Sequence, residues 1–469
     1  MIVIFVHGWS VQHTNTYGGL PRWLTGQTGP DGKPFEVGSV YLGRYVSFED
    51  TVTVDDISRA FDQAITDELG ARLKAGERFA CITHSTGGPV LRNWIHLFYR
   101  NHLDQCPLTH LVMLAPANHG SALAQLGKGR LSRIKSFFQG VAPGQLVLNW
   151  LELGSEPQWA LNEAWLGYDG VGQGLYPFVL TGQKIDRSLY DALNSYTDEM
   201  GSDGVVRVAG ANLNYSLLRL AQGADAELAV KRVSRSKPTA FGVLPQRAHS
   251  GDDFGIIRSV TARNADAHPT AQWVVRCLQV TSEASYSKVR DELAEVTRQT
   301  QEDEKVDVQT SLFGTRTYPN DRCLQAVFRL VDDRGQELSN YDLFLTAGPN
   351  YSEQDLPPGF FIDRQRNQLN PGKLTYYLNL DVLEAGLARP ELEGRLGFRV
   401  EARPKAGLAF YRQLDFRSTL AELKRVLIPN ETMMVEIELK RMVDKAVFRI
   451  TDNLTPAKFD DRPSGETVA

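Results

Sequence analysis

The chain has 469 residues, a formal net charge of −5 and four cysteines. With 42% hydrophobic and 23% charged residues it has the composition of a soluble globular protein, and it is too long for one ordinary domain. The charge gives no case for general nucleic-acid binding, the cysteines lack metal-ligand spacing and read as buried free thiols, and no apolar run approaches the ~18 residues of a membrane span.

Taken in chain order, Met1-Ile2-Val3-Ile4-Phe5-Val6 is a continuous apolar run that predicts a buried parallel strand. It ends in His7-Gly8-Trp9-Ser10. The first residues carry neither a basic n-region nor a small-residue cleavage site, so the expectation is synthesis without a secretory signal and a cytoplasmic protein. Export by a signal-independent secretion machine is compatible with the same sequence. A second strand, Phe79-Ala80-Cys81-Ile82, runs into Thr83-His84-Ser85-Thr86-Gly87-Gly88 and then the helix-like Pro89 to Ile95. A serine held by small residues between strand and helix reads as a nucleophile elbow, with Thr83 departing from the usual glycine two positions before the serine. The competing reading is a polar turn in which Ser85 only caps a helix.

From about Asn118 to Leu175 the alternation of strand and helix is interrupted, and three of the seven tryptophans gather there: Trp150, Trp159 and Trp165. Tyr176 to Gly182 predicts another strand, with Asp186 close behind it. Gly201-Ser202-Asp203-Gly204-Val205-Val206 follows. Of nine histidines only His249 and His268 come after Asp203. His249 lies where a strand-like run breaks into a polar loop. His268 precedes an apolar helix-like run and also reads as a helix-start residue. Ser282 to Asp307 is polar with a short apolar periodicity and predicts a linker helix. Beyond it, period-two segments from Leu324 to Leu439 predict an antiparallel β-sandwich without a catalytic cluster.

The strand-His-Gly turn, the His84-Ser85 elbow and the Asp-Gly-Val-Val segment together resemble bacterial lipases and esterases of the α/β-hydrolase superfamily. The resemblance covers about residues 1–280 and rests on short motifs. It implies a Ser85, Asp203, His249 triad in the superfamily's chain order, with oxyanion donors at the backbone N–H groups of Trp9 and Thr86. Asp186 competes with Asp203 for the acid, and His268 with His249 for the base. The expected architecture is an α/β-hydrolase domain over 1–280 with a helical cap at about 118–175. A linker helix over 281–306, a β-sandwich-like domain over 307–452 and a flexible tail over 453–469 complete it.

The expected activity is hydrolysis of lipid acyl esters through an acyl-enzyme, as a lipase or phospholipase, with no metal or organic cofactor. A small-ester esterase, a thioesterase or a non-catalytic scaffold are the alternatives. An apolar cap suits an acyl chain, because burying each methylene contributes ~0.8 kcal/mol and eight would contribute roughly 6 kcal/mol. Most of the cap's apolar residues are expected to be core. Lys128, Arg130, Arg133 and Lys135 flank the cap, and Lys231, Arg232, Arg235 and Lys237 lie between Asp203 and His249. Either group could meet anionic headgroups at about 1 kcal/mol per charge, and either is also an ordinary solvated face. Peripheral membrane contact and a protein partner for the β-domain belong to the same expectation.

Overall fold

Strands buried on both faces need continuous apolar runs, and the first unit is built from them. The computed structural model describes residues 1–7, 16–41, 50–127, 144–185, 199–223, 227–311, 314–445 and 447–448. In chain order the early strands are β1 (Ile2–His7), β2 (Glu36–Tyr41), β3 (Phe79–His84), β4 (Leu108–Leu114) and β5 (Tyr176–Thr181). Two more, β6 (Tyr215–Gln222) and β7 (Leu228–Arg235), precede β8 (Ala240–Val243). β1 to β5 and β8 form one six-stranded sheet in the order β2-β1-β3-β4-β5-β8, every pair parallel. Alternate residues feed two cores. Ile4, Cys81, Met113 and Val179 pack on one face, and Phe5, Ile82, Val112 and Leu180 on the other. All four cysteines are buried free thiols.

Helix α1 (Val54–Lys74) joins β2 to β3 and starts in a capping box: Asp56 N–H donates to Thr53 Oγ1, and Thr53 N–H donates to Asp56 Oδ2. Helix α2 (Gly87–Tyr99) follows β3. Between β4 and β5 lies a helical insertion comprising α3 (Ala122–Gly127), α4 (Gln145–Leu151) and α5 (Glu156–Trp165). Trp150 and Trp159 are buried within it. The basic group at 128–135 lies outside the described residues.

After β8, α6 (Pro269–Leu278) and α7 (Glu283–Asp303) return across the sheet. The segment read as a linker from its polar composition is α7, and it is part of the first unit. Tyr286, Val289 and Leu293 on its apolar stripe enter the sheet's core. Its side chains also complete β8, the last strand of the sheet. Ala240 N–H donates to Tyr286 Oη at 2.9 Å and Val243 N–H to Thr297 Oγ1 at 3.0 Å. A bare strand edge leaves such amides unpaired, and α7 supplies the acceptors a further strand would have given.

An antiparallel pair, β9 (Val306–Ser311) and β10 (Gly314–Pro319), follows α7. Then come β11 (Cys323–Asp332), β12 (Tyr341–Ala347), β13 (Phe361–Arg366), β14 (Lys373–Asn379) and β15 (Arg395–Ala402). Short β16 (Ala409–Phe410), β17 (Leu414–Thr419), β18 (Thr432–Leu439) and short β19 (Met442–Val443) end the described strands.

Two compact units emerge. The first comprises Met1–Tyr215, Arg235–Gln325 and Pro429–Thr432, and the second Ser216–Ser234, Ala326–Ile428 and the chain from Met433. The second unit is a sandwich of one sheet in the order β13-β14-β11-β18-β6-β7 and another in the order β12-β15-β17. Phe328 on β11 meets Phe398 on β15 with ring centroids 5.4 Å apart, and Tyr376 Oη on β14 donates to the Leu343 carbonyl on β12 at 2.6 Å. The β6–β7 hairpin departs from the expected boundaries. It leaves the chain between Asp203 and His249 and completes the second unit's sheet, where Lys231 pairs with Glu438 at 2.7 Å. The tail over 453–469 lies outside the described residues.

The role of α7 at the sheet edge is testable. Thr297→Val keeps the shape and removes the acceptor for Val243 N–H. Thermal unfolding should show a loss of about 1–3 kcal/mol.

Candidate active site

The parallel sheet presents the C-terminal ends of its strands to one side, and loops there carry the polar residues of interest. β3 is buried throughout and stops at His84. Ser85 then adopts φ 53°, the left-handed region that a side-chain-bearing residue enters only at a cost of about 1–2 kcal/mol. Its N–H is held by the Leu114 carbonyl at 3.0 Å, and its own carbonyl accepts from Gly88 N–H at 3.2 Å. Thr86 follows with φ −58° and starts α2. The chain thus reverses from strand to helix within two residues and leaves the Ser85 hydroxyl half-buried at the turn's apex.

Space explains the threonine two positions before the serine. A Cβ placed on Gly87 would lie 3.2 Å from Thr83 Cβ, so the two positions flanking Ser85 share one gap. Thr83 fills it from the strand side, so a side chain at Gly87 would press on Thr83. Thr83 Oγ1 is buried with no hydrogen-bond partner among the described residues. Beneath the turn, Tyr17 Oη donates to the Val6 carbonyl at 2.6 Å and lies 3.3 Å from the Ile82 carbonyl, tying the ends of β1 and β3 together.

The structure brings Ser85, Asp203 and His249 into one hydrogen-bonded line. His249 Nε2 is 3.1 Å from Ser85 Oγ, and His249 Nδ1 is 2.9 Å from Asp203 Oδ2. With Nδ1–H donating to the carboxylate, Nε2 is the acceptor for the serine hydroxyl. Asp203 is fully buried and His249 is 1% exposed, so water does not compete for this line. Asp203 Oδ1 takes two further N–H donors, Val205 at 3.0 Å and Val206 at 2.8 Å. The backbones are coupled as well: His249 N–H donates to the Asp203 carbonyl at 3.0 Å. His84 adds a donor from the other side, its Nε2 lying 3.2 Å from the His249 carbonyl.

Two contacts hold the acid loop, and no local sequence motif announces either. Arg207 forms a buried bidentate pair with Glu199, Nε to Oε2 and Nη2 to Oε1 both at 2.8 Å. Ser121 Oγ, at the start of the helical insertion, donates to the Val205 carbonyl at 2.7 Å. The first joins residues 8 positions apart and the second residues 84 positions apart, and both become visible only in the folded chain.

The competitors are placed elsewhere or not at all. His268 caps α6, its Nδ1 accepting from Thr270 N–H at 3.2 Å, and its Nε2 lies 2.9 Å from Ser259 Oγ and 2.8 Å from Arg247 Nη1. Burial, with the Arg247 charge beside it, holds its pKa down to about 4. Asp186 and Trp9 lie outside the described residues. The Thr86 N–H has no acceptor among the described residues, and it stands at the start of α2 next to Ser85, as an oxyanion donor requires. No group of three or more His, Cys, Asp or Glu side chains able to hold a metal occurs among the described residues.

The unpaired Thr83 hydroxyl gives a test of the elbow. Thr83→Val keeps the methyl that fills the gap and removes the orphan. We expect a gain of about 1 kcal/mol in unfolding free energy with hydrolytic activity retained.

No protein-family model matches the chain, and no curated protein does. Solved structures do. The phospholipase PlaB from Legionella pneumophila is 59% identical, with 100% of this chain and 99% of that chain covered and a TM-score of 0.95. A structure of the same enzyme in complex with thio-NAD is 57% identical over 100% of both chains, with a TM-score of 0.93. An identity this high over both whole chains settles membership: this protein belongs to the PlaB family of α/β-hydrolases.

Proposed function

We propose that this protein is a serine phospholipase that cleaves acyl esters through Ser85, His249 and Asp203. The observation that carries the reading is the buried Asp203–His249–Ser85 line at a left-handed serine, in a chain akin to PlaB throughout. His249 Nε2 takes the Ser85 proton as Oγ attacks the ester carbonyl. Asp203 fixes the tautomer and stabilises the imidazolium that forms. The Thr86 N–H, with Trp9 N–H as the expected second donor, holds the oxyanion. The imidazolium then protonates the leaving alcohol, and water releases the acyl group by the same path.

The substrate places the enzyme at a lipid surface at least during turnover, so peripheral membrane contact is part of the same reading. The thio-NAD in one PlaB structure makes a nicotinamide dinucleotide a candidate ligand of this chain, although the acyl transfer described consumes none.

Ser85→Ala and Asp203→Asn test the proposal. Fixing the wrong tautomer should lower kcat by about 10⁴-fold and removing the nucleophile by about 10⁶-fold, with the thermal midpoint little changed. A fluorophosphonate ester should label the wild type and leave Ser85→Ala unlabelled. Mass spectrometry of phospholipid vesicles should show free fatty acid and lysophospholipid with wild type only. A fully active Ser85→Ala would sink the reading. Turnover of acetyl esters with phospholipid left intact would favour the small-ester alternative.

A further inference from the structure

His249 sits on a loop that leaves β8 at Val243, and nearly every residue of that loop is fastened by main chain. Leu244 N–H donates to the Thr181 carbonyl, Lys184 N–H to the Arg247 carbonyl, Ala248 N–H to the Phe254 carbonyl and His249 N–H to the Asp203 carbonyl. The fit is close: a Cβ on Gly182 would lie 1.8 Å from the Arg247 carbonyl oxygen, so β5 must end there in glycine.

Gln246 differs from its neighbours. It carries φ 55°, a left-handed conformation unusual outside glycine, and its N–H is held by a titratable side chain. Glu304 Oε1 accepts that N–H at 2.6 Å and Gln246 Nε2 at 3.0 Å, while Glu304 Oε2 accepts Gln183 Nε2 at 3.3 Å.

The position is a poor one for a carboxylate on grounds of stability. Glu304 is 8% exposed and stands just past the C-terminal end of α7, where the helix dipole opposes negative charge. No cation lies within ion-pairing distance of it among the described residues. The charged side chains that face it are Lys184 from the end of β5 and Arg247 from the histidine loop, and Arg247 is itself bonded to His268. Asp303 and Lys305 flank it in the chain, and Gln183 and Gln246 are its neutral partners. A glutamine would fill the same space without the penalty of a buried charge. What the anion adds is a stronger hold on an N–H of the loop that carries the base.

We propose that Glu304 is a positioning residue for His249, acting through the Gln246 main chain, and that its ionised form is the one that holds the base in line with Ser85. The proposal rests on the triad reading above. Burial raises the Glu304 pKa above the ordinary carboxylate value, with Lys184 and the hydrogen bonds opposing that rise. The hold is therefore present above that pKa and is lost as pH falls through it. Acidification thus releases the support of the loop that carries the base.

The test compares full-length wild type, E304Q and Ser85→Ala on phospholipid micelles between pH 4 and pH 8. E304Q should fold with a thermal midpoint at or above that of wild type and lower kcat about tenfold at neutral pH, with KM within about twofold. The acid limb of kcat should be steeper than one proton in wild type and fall to one proton in E304Q. A one-proton limb in wild type, a wild-type kcat and acid limb in E304Q, or an E304Q that does not fold would each overturn the proposal. The Ser85→Ala arm separates the two failures. An active Ser85→Ala removes the triad reading itself, whereas an inactive one beside a wild-type-like E304Q removes only the role of Glu304.

Discussion

The φ of 53° at Ser85 is the constraint around which the first unit is arranged. A left-handed residue between a buried strand and a helix lasts only where its surroundings leave no alternative. Here β3 is clamped between β1 and β4, the Ser85 N–H is taken by Leu114, and Tyr17 ties the strand ends below. Thr83 and Gly87 divide the remaining space between them. The strain of about 1–2 kcal/mol is small against the apolar burial of the two cores, and it is concentrated at the half-buried Ser85.

The proposed nucleophile also needs partners that cannot drift, and the loops of Asp203 and His249 are both fixed by buried polar bonds. Asp203 is held by two amides and the Glu199–Arg207 clamp, and His249 by four main-chain bonds in its loop together with the Glu304 contact. Buried polar groups that are paired in this way give rigidity, because a departure from the arrangement breaks bonds that water cannot replace. The same logic covers the sheet edge, where Tyr286 and Thr297 of α7 occupy the amides of β8. The histidine loop therefore springs from a strand that is itself fastened on both sides.

The sequence was legible where the physics is local. Strands buried on both faces appear as unbroken apolar runs, so β1, β3 and β5 could be read directly. The elbow and the Asp-Gly-Val-Val turn are short and impose residue types on their own positions. What stayed hidden depends on distant pairing. Tyr215 to Gln222 is an apolar run that suits any sheet, and nothing in it tells which sheet receives it. Tyr286, Val289 and Leu293 mark one stripe of α7, but its polar composition reads as a linker, and the acceptors that Tyr286 and Thr297 offer to β8 take on meaning only in the folded chain. Glu304 is one acid among many in a charged helix end, and its meaning comes only from Gln246, 58 positions away.

The placement of β6 and β7 bears on how the two units are related through the chain. Asp203 and His249 belong to one site, yet the chain between them leaves the first unit at Ser216 and re-enters it at Arg235. In the second unit's sheet β6 lies beside β18, the last long strand of the chain. A strand so placed has the hydrogen-bonding groups on that side satisfied only when β18 is present. Division of the chain into a catalytic front and an accessory back therefore fails. The second unit takes β6 and β7 from the interval between Asp203 and His249, two members of the proposed triad, so the chain path of each unit passes through the other's stretch of sequence.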